Sequence, residues 1–222
     1  MNFAEYNVKD ANLEEVLLAL KSLDTVEAVA LGGSRSTGAS DENSDYDIYV
    51  YCAEIPTAET RENLLGKYCS IAEFGNHYWE SEDNTVMNNG VPVDIIYREV
   101  DRFGRYIDTV IKGGKAFNGY TTAFWHNIKN SKVLFDKTGT FTKFRDMAQI
   151  DFPENLRSAI IKNNRNLLNG KLPSYDRQIK KAQERGDIVS VNHRITAFLE
   201  SYFDVILSLI HISEPTRLGM IS

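Results

Sequence analysis

Gly32-Gly33-Ser34-Arg35-Ser36-Thr37-Gly38 comes directly after the apolar run Val26-Glu27-Ala28-Val29-Ala30-Leu31, and ten residues after Ser34 comes Asp45-Tyr46-Asp47-Ile48-Tyr49-Val50. The first apolar run reads as a short strand. Glycine after a strand lets the backbone approach a bound group closely, and a hydroxyl adds a donor, so the segment has the makeup of a loop that grips phosphate through backbone N–H groups. Arg35 adds a planar cation able to reach a phosphate. Ser34 to Ser44 is small, polar and turn-rich, and is expected to be a loop. Tyr46 to Cys52, aromatic and β-branched, reads as a second strand. Asp45 and Asp47 are separated by one residue, so both project from one face while Tyr46, Ile48 and Val50 project from the other. Two carboxylates on one face repel each other unless a cation lies between them. Cations of the Mg²⁺ kind take such oxygens together with substrate phosphates.

Working outward, a third carboxylate, Asp94, stands inside Gly90-Val91-Pro92-Val93-Asp94-Ile95-Ile96-Tyr97, a third strand that Pro92 is expected to place near an edge. A charge in mid-strand is costly to bury alone, so Asp94 is expected to face the same cation. Leu13 to Leu23 has helical spacing with Asn12 as the expected N-cap. Pro56 to Cys69 and Glu99 to Lys112 also read as helices, whereas Ala72 to Asn89 shows no clear element. The expected fold class is α/β (α+β), a small mixed sheet flanked by helices over residues 1–115. A helical domain over 116–206 comes next, in which only Val133-Leu134-Phe135 reads as strand. Pro153 opens one helix there, with Leu156, Ile160, Leu167 and Leu168 on a face. A second helix carries Ile188, Val191, Ile195, Phe198, Leu199, Tyr202, Phe203 and Ile206 as its expected buried face.

Taken together, Gly33-Ser34, Asp45-Tyr46-Asp47-Ile48 and Val93-Asp94-Ile95 resemble the signature of the DNA polymerase beta-like nucleotidyltransferases. Segments 32–38 and 44–47 look most like small bacterial members, among them the aminoglycoside and lincosamide nucleotidyltransferases and the minimal nucleotidyltransferases. The resemblance is specific over residues 25–100. Beyond that it is looser, resting on the helical second half and on Leu134-Phe135-Asp136-Lys137-Thr138-Gly139, which is similar to a motif of uncharacterised bacterial members. It implies an N-terminal nucleotidyltransferase fold in which Asp45 and Asp47 bind Mg²⁺, two ions in all, and Asp94 is a ligand or the general base. Ser34, beside Gly33 and Arg35, would contact the phosphates of ATP or another nucleoside triphosphate. The implied reaction moves a nucleoside monophosphate, AMP from ATP, to a hydroxyl of a small-molecule acceptor and releases pyrophosphate. The resemblance leaves an alternative, an antitoxin that modifies a toxin partner. Proteins of that kind are usually shorter, and the length from 151 to 206 speaks against it.

The chain has 31 acidic and 25 basic residues among 222, a formal net charge of -6, which argues against nucleic acid as a main partner. The basic residues Lys162, Arg165, Lys171, Arg177, Lys180 and Lys181 are interleaved with acids and amides and read as solvated surface. Cys52 and Cys69 are expected to be reduced and mostly buried. With no signal peptide and no apolar run near the roughly 20 residues that span a bilayer, a cytoplasmic location with no membrane partner is expected. His77 and His126 read as surface or packing residues, Tyr78-Trp79 as strand packing, and Asp187, Asn192, His193 and Glu200 as a solvated helix face. Leu207 to Arg217 resembles the translation of a transposon end used in preparing sequencing libraries. On that resemblance, residues 207–222 are expected to be a non-native read-through tail that cuts the last helix.

Overall fold

The structure, a computed structural model, describes residues 9–78, 80–117 and 121–209. Among these, residues up to Tyr106 together with Lys129–Asp146 form one compact unit, and Ile107–Ile128 with the residues from Met147 onward form another. The chain therefore passes between the units three times, where the sequence suggests one boundary at 115/116.

The first unit is built on a six-stranded mixed sheet: β1 (Val26–Leu31), β2 (Tyr46–Cys52), β3 (Cys69–Asn76), β4 (Ser81–Met87), β5 (Pro92–Glu99) and β6 (Lys132–Asp136). Their order is β3-β4-β5-β2-β1-β6, with β2 and β5 parallel and every other pair antiparallel. One face is apolar. Val29, Leu31, Ile48, Val50, Val93 and Ile95 pack there with Leu13, Val16, Leu17 and Leu20 of α1 (Ala11–Lys21) and Leu65 of α3 (Ala58–Leu65). Each leucine buried in this way contributes roughly 1.5–3 kcal/mol. Asp10, rather than Asn12, caps α1, accepting from the backbone N–H of Asn12 (3.0 Å) and Leu13 (3.4 Å). An ionised carboxylate suits the positive end of a helix better than an amide does.

Two expectations about strands change. The polar stretch 72–89 is the β3–β4 hairpin, whose buried Asp83 meets the guanidinium of Arg61 on α3 at 3.0 Å, with both side chains almost fully enclosed. β5 is not near an edge but lies between β4 and β2. Pro92 is tolerated because it opens the strand, where it faces Val86 and a missing N–H interrupts little.

In the second unit, α7 (Glu154–Asn169) and α8 (Tyr175–Glu184) both pack on α9 (Ile188–Leu209). Pro153 occupies the N-cap of α7, and Leu156 and Ile160 are buried as expected, while Leu167 and Leu168 are half-buried. The face expected to be buried on α9 is covered only in part, with Val191, Phe198, Phe203 and Ile206 half-buried. Ile188, Ile195, Leu199 and Tyr202 are exposed, and the helix instead buries Ser201, Asp204, Leu207 and Ser208. Asp204 is fully partnered on this buried side. It accepts from Thr122 N (3.2 Å), Thr122 Oγ1 (2.9 Å) and Asn164 Nδ2 (3.2 Å), and a buried carboxylate must find such donors. Asp187 accepts from the N–H of Ser190 at the start of α9, and Asn192 and His193 are exposed, in keeping with a solvated face. Of the expected tail, residues 207–209 form the last turn of α9, with Arg157 Nε donating to the Ser208 carbonyl at 2.9 Å; residues 210–222 lie outside those described. Among the described residues no helix is long and apolar enough to cross a membrane. Cys52 is buried and Cys69 half-buried, both as free thiols.

Candidate active site

The sheet face opposite α1 changes character along its length. At one end it is aromatic: Tyr51 meets Phe103 of α4 (Val100–Ile111) at 5.4 Å between ring centroids, and Phe141 and Phe144 of α6 (Thr140–Ala148) at 5.0 and 6.0 Å. At the other end it is acidic. The direct register of the parallel pair sets Asp47 on β2 opposite Asp94 on β5. Two residues on neighbouring strands stand about 4.8 Å apart, so their carboxyl groups are side by side. Asp45, immediately before β2, adds its charge to both.

The electrostatics reflect that placement. Asp47 is 4% exposed, and its carboxyl is pushed up to about 7, by burial first and then by the charges of Asp45 and Asp94. Asp94 is also raised, by burial above all; the hydrogen bond from Asn84 opposes the shift and Asp45 adds to it. Mutual destabilisation of this kind is what a divalent cation relieves. Among the described residues no group of three or more His, Cys, Asp or Glu side chains stands close enough together to hold a metal ion by itself. A few carboxylates on one face are nonetheless the donor set that suits Mg²⁺, which keeps several waters and takes phosphate oxygens from its substrate.

The glycine segment is laid directly against these acids. Gly32 N donates to the carbonyl of Asp47 at 2.8 Å. Gly33 has φ +60°, and a Cβ there would collide with Asp47 Oδ2; a Cβ on Gly32 would collide with the Tyr49 ring. Both positions therefore require glycine, one for conformation and closeness, the other for closeness alone. The residues from Gly33 to Thr37 form a short helix, α2, in place of the expected loop. Ser36 Oγ donates to the Gly33 carbonyl (2.8 Å), Thr37 Oγ1 to that of Ser34 (3.1 Å), and Gly38, at φ 82°, closes the turn with its N–H on Ser34 O. The hydroxyls that suggested a loop satisfy the helix's own carbonyls.

Gly33, Ser34, Asp45, Asp47 and Asp94 are thus brought to one end of the sheet. Arg35, the cation expected at the phosphates, is bound to the backbone through part of its guanidinium. Its Nε donates to the carbonyls of Ser44 (3.0 Å) and Asp45 (2.9 Å), its Nη2 also bonds Ser44 O, and its guanidinium lies over the Tyr46 ring at 4.1 Å. It ties α2 to the start of β2. A different cation, Lys132 at the start of β6, comes to the segment and donates to the Arg35 carbonyl at 3.2 Å.

Sequence reasoning passed over three further residues of this face. Asn84 of β4 faces Asp94 and donates to its Oδ1 at 2.9 Å. Glu82, opposite Ile96, is a buried carboxylate raised by burial and by Asp94. Arg98, 5% exposed, makes a two-pronged bond to Glu80 (2.8 Å, and 2.6 Å in the ion pair) and lies over Tyr49 at 4.3 Å and Phe103 at 4.6 Å. It separates the acidic end from the aromatic end. Alternation in β4 could have revealed Glu82 and Asn84, but Asp83 between them is polar too. His77 and Tyr78 are exposed, so Tyr78 does not pack as a strand residue; Trp79 lies outside the described residues.

Residues 13–116 match the family model described as a nucleotidyltransferase domain. No curated protein matches the chain by sequence. Among solved structures, a nucleotidyltransferase-like protein from Exiguobacterium sibiricum 255-15 aligns at TM-score 0.41 and 9% identity, over 93% of this chain and 58% of its own. The CCA-adding enzyme of Thermotoga maritima, complexed with tRNA, aligns at TM-score 0.34 and 15% identity, over 96% and 55%. The chain thus spans little more than half the length of either. The family match, which spans just under half of the chain, includes the sheet face that holds Gly33, Asp45, Asp47 and Asp94, and residues 13–116 are similar to a nucleotidyltransferase domain.

Proposed function

We propose that the protein is a Mg²⁺-dependent enzyme that moves a nucleoside monophosphate, AMP from ATP, to a hydroxyl of a small-molecule acceptor and releases pyrophosphate. The observation that carries this reading is the contact of Gly33 with the Asp47 carboxylate, beside which Asp94 stands in direct register. It supports a reading in which the Gly33 backbone holds phosphate and the acids reach the same triphosphate. Asp45 and Asp47 would hold the cation, and Asp94 would complete the set. When bound, magnesium supplies charge neutralisation at the phosphates and lowers the pKa of an oxygen it holds. Gly33 and the hydroxyl of Ser34 hold and orient the phosphates, so that the transferred phosphorus faces the acceptor. Asp94, raised by burial, is suited to take the hydroxyl proton. The acceptor oxygen then bonds to the α-phosphorus as the bond to the leaving pyrophosphate breaks.

The kinship with aminoglycoside- and lincosamide-modifying enzymes belongs to this proposal, as does a small acceptor in place of RNA. The acidic balance of the chain favours the small acceptor. The test is pyrophosphate release from labelled ATP, GTP, CTP and UTP with Mg²⁺ and a panel of hydroxylated acceptors. Asp45→Asn and Asp47→Asn are expected to abolish turnover with the fold intact by circular dichroism. Retained activity in both variants would sink the assignment.

A further inference from the structure

The hydrogen bond that holds Asp94 does not end at Asn84. On the antiparallel strands β3, β4 and β5, Glu73 faces Asn84 and Asn84 faces Asp94. Asn84 Nδ2 donates to Asp94 Oδ1 at 2.9 Å, while Asn84 Oδ1 accepts from Asn76 Nδ2 at 2.8 Å. Asn76 Nδ2 donates in turn to Glu73 Oε2 at 3.3 Å. The relay has a direction. An amide whose oxygen is already taken by an N–H donor must present its own NH₂ on the other side, so the edge strand imposes the donor orientation that Asp94 meets. The terminal torsion of an aspartate is broad and two-fold, so without such a donor the plane of the carboxylate is free to turn.

We infer that Asn84 is a positioning residue for Asp94: it occupies Oδ1 and sets the carboxylate plane, so that Oδ2 is the oxygen with which Asp94 acts on cation and acceptor, and Asn76 and Glu73 hold Asn84 in turn. This rests on the reading of Asp94 as a member of the cation-binding set. The residue type is constrained by charge. An aspartate at 84 would set a second carboxylate against Asp94, whereas an apolar residue would leave Oδ1 without its donor. Groups that orient a metal-binding carboxylate typically affect metal affinity or activity by about 10–100-fold when removed.

The test uses the full chain with Mn²⁺ as probe and a non-hydrolysable ATP analogue, cation affinity being read by water-proton relaxation and folding by thermal unfolding. Asn84→Ala is expected to weaken Mn²⁺ binding by about 10–100-fold at an unchanged unfolding temperature. Asn84→Asp should be worse, and Asn76→Ala milder in the same direction. In turnover at saturating Mg²⁺, Asn84→Ala should lower kcat and leave KM for the triphosphate unchanged. Wild-type Mn²⁺ affinity in Asn84→Ala overturns the inference. So does a loss of affinity that comes with a matching fall in unfolding temperature, which would make Asn84 a packing residue. Asp45→Asn and Asp47→Asn in the same assay separate the two levels. If they still bind Mn²⁺ with the analogue, it is the reading of the site that fails, and the positioning role fails with it.

Discussion

A methyl group on Gly33 perturbs the protein in two ways that can be measured apart. Gly33 has φ +60°, in the left-handed region, where a residue with a Cβ costs roughly 1–2 kcal/mol. Gly90, at φ +85° in the turn before β5, would suffer the same strain, but a Cβ there has open space around it. Gly33→Ala and Gly90→Ala should therefore share the backbone part of the loss, a fall in unfolding temperature of about 2–4 °C per kcal/mol in a chain of this size, to which the overlap at Gly33 adds. Only Gly33→Ala places a methyl where Asp47 Oδ2 lies. The carboxylate must swing into another rotamer, and a displacement on the order of 1 Å at a reacting centre costs about 10²-fold in rate. The expected result is a Gly33→Ala variant less stable than Gly90→Ala, because the overlap with Asp47 adds to the shared backbone strain, with Gly90→Ala turning over normally and Gly33→Ala slower by about 10²-fold or more. Pyrophosphate release and differential scanning fluorimetry on matched samples read both quantities. Equal activities in the two variants would refute the argument that the glycine is there to admit the Asp47 carboxylate.

Buried charges give two further outcomes. Asp204, 1% exposed, has its carboxyl raised from 3.8 to about 6 by burial, against the opposing hydrogen bonds of Thr122 and Asn164. The folded protein then holds the proton more tightly than the unfolded chain, so stability from this group is full below pH 4 and is lost as pH rises to about 6; at about 1.4 kcal/mol per unit the change is of order 3 kcal/mol. Asp204→Asn should flatten that part of the thermal-midpoint profile, and an identical slope in variant and wild type would contradict the assignment. Arg98→Lys keeps the charge but loses the two-pronged bond to Glu80 and the planar stack on Tyr49 and Phe103, and should cost about 3 kcal/mol, or roughly 6–12 °C, by thermal unfolding. A wild-type midpoint would show that only the charge matters.

The elements with clean periodicity are legible in the residue pattern alone. The apolar runs at 26–31, 46–52 and 92–97 are strands, and Asp45, just before β2, lies near enough to Asp47 to raise its carboxyl. The helices whose ends or faces differ from expectation show why the rest is not. Ser34 to Thr37 looks like loop material because its hydroxyls compete for backbone groups, yet here those hydroxyls complete a helical turn. The stripe on α9 reads as core because apolar side chains usually are, but only part of it is covered, while Asp204 finds its three donors on the buried side.

Residue order along the chain is enough to single out the candidate side chains: Gly33 and Ser34 after a strand, Asp45 and Asp47 entering one, and Asp94 inside another. Alternation is a local property, and it places side chains on faces without knowledge of the neighbouring strand. Only the tertiary structure decides that β2 and β5 are adjacent, parallel and in register, which sets Asp47 beside Asp94. It alone assigns Arg35 to the Ser44 and Asp45 carbonyls and brings Asn84 to Asp94. Pairing between segments some forty residues apart in sequence depends on the whole sheet and its core, and nothing in either segment alone specifies its partner.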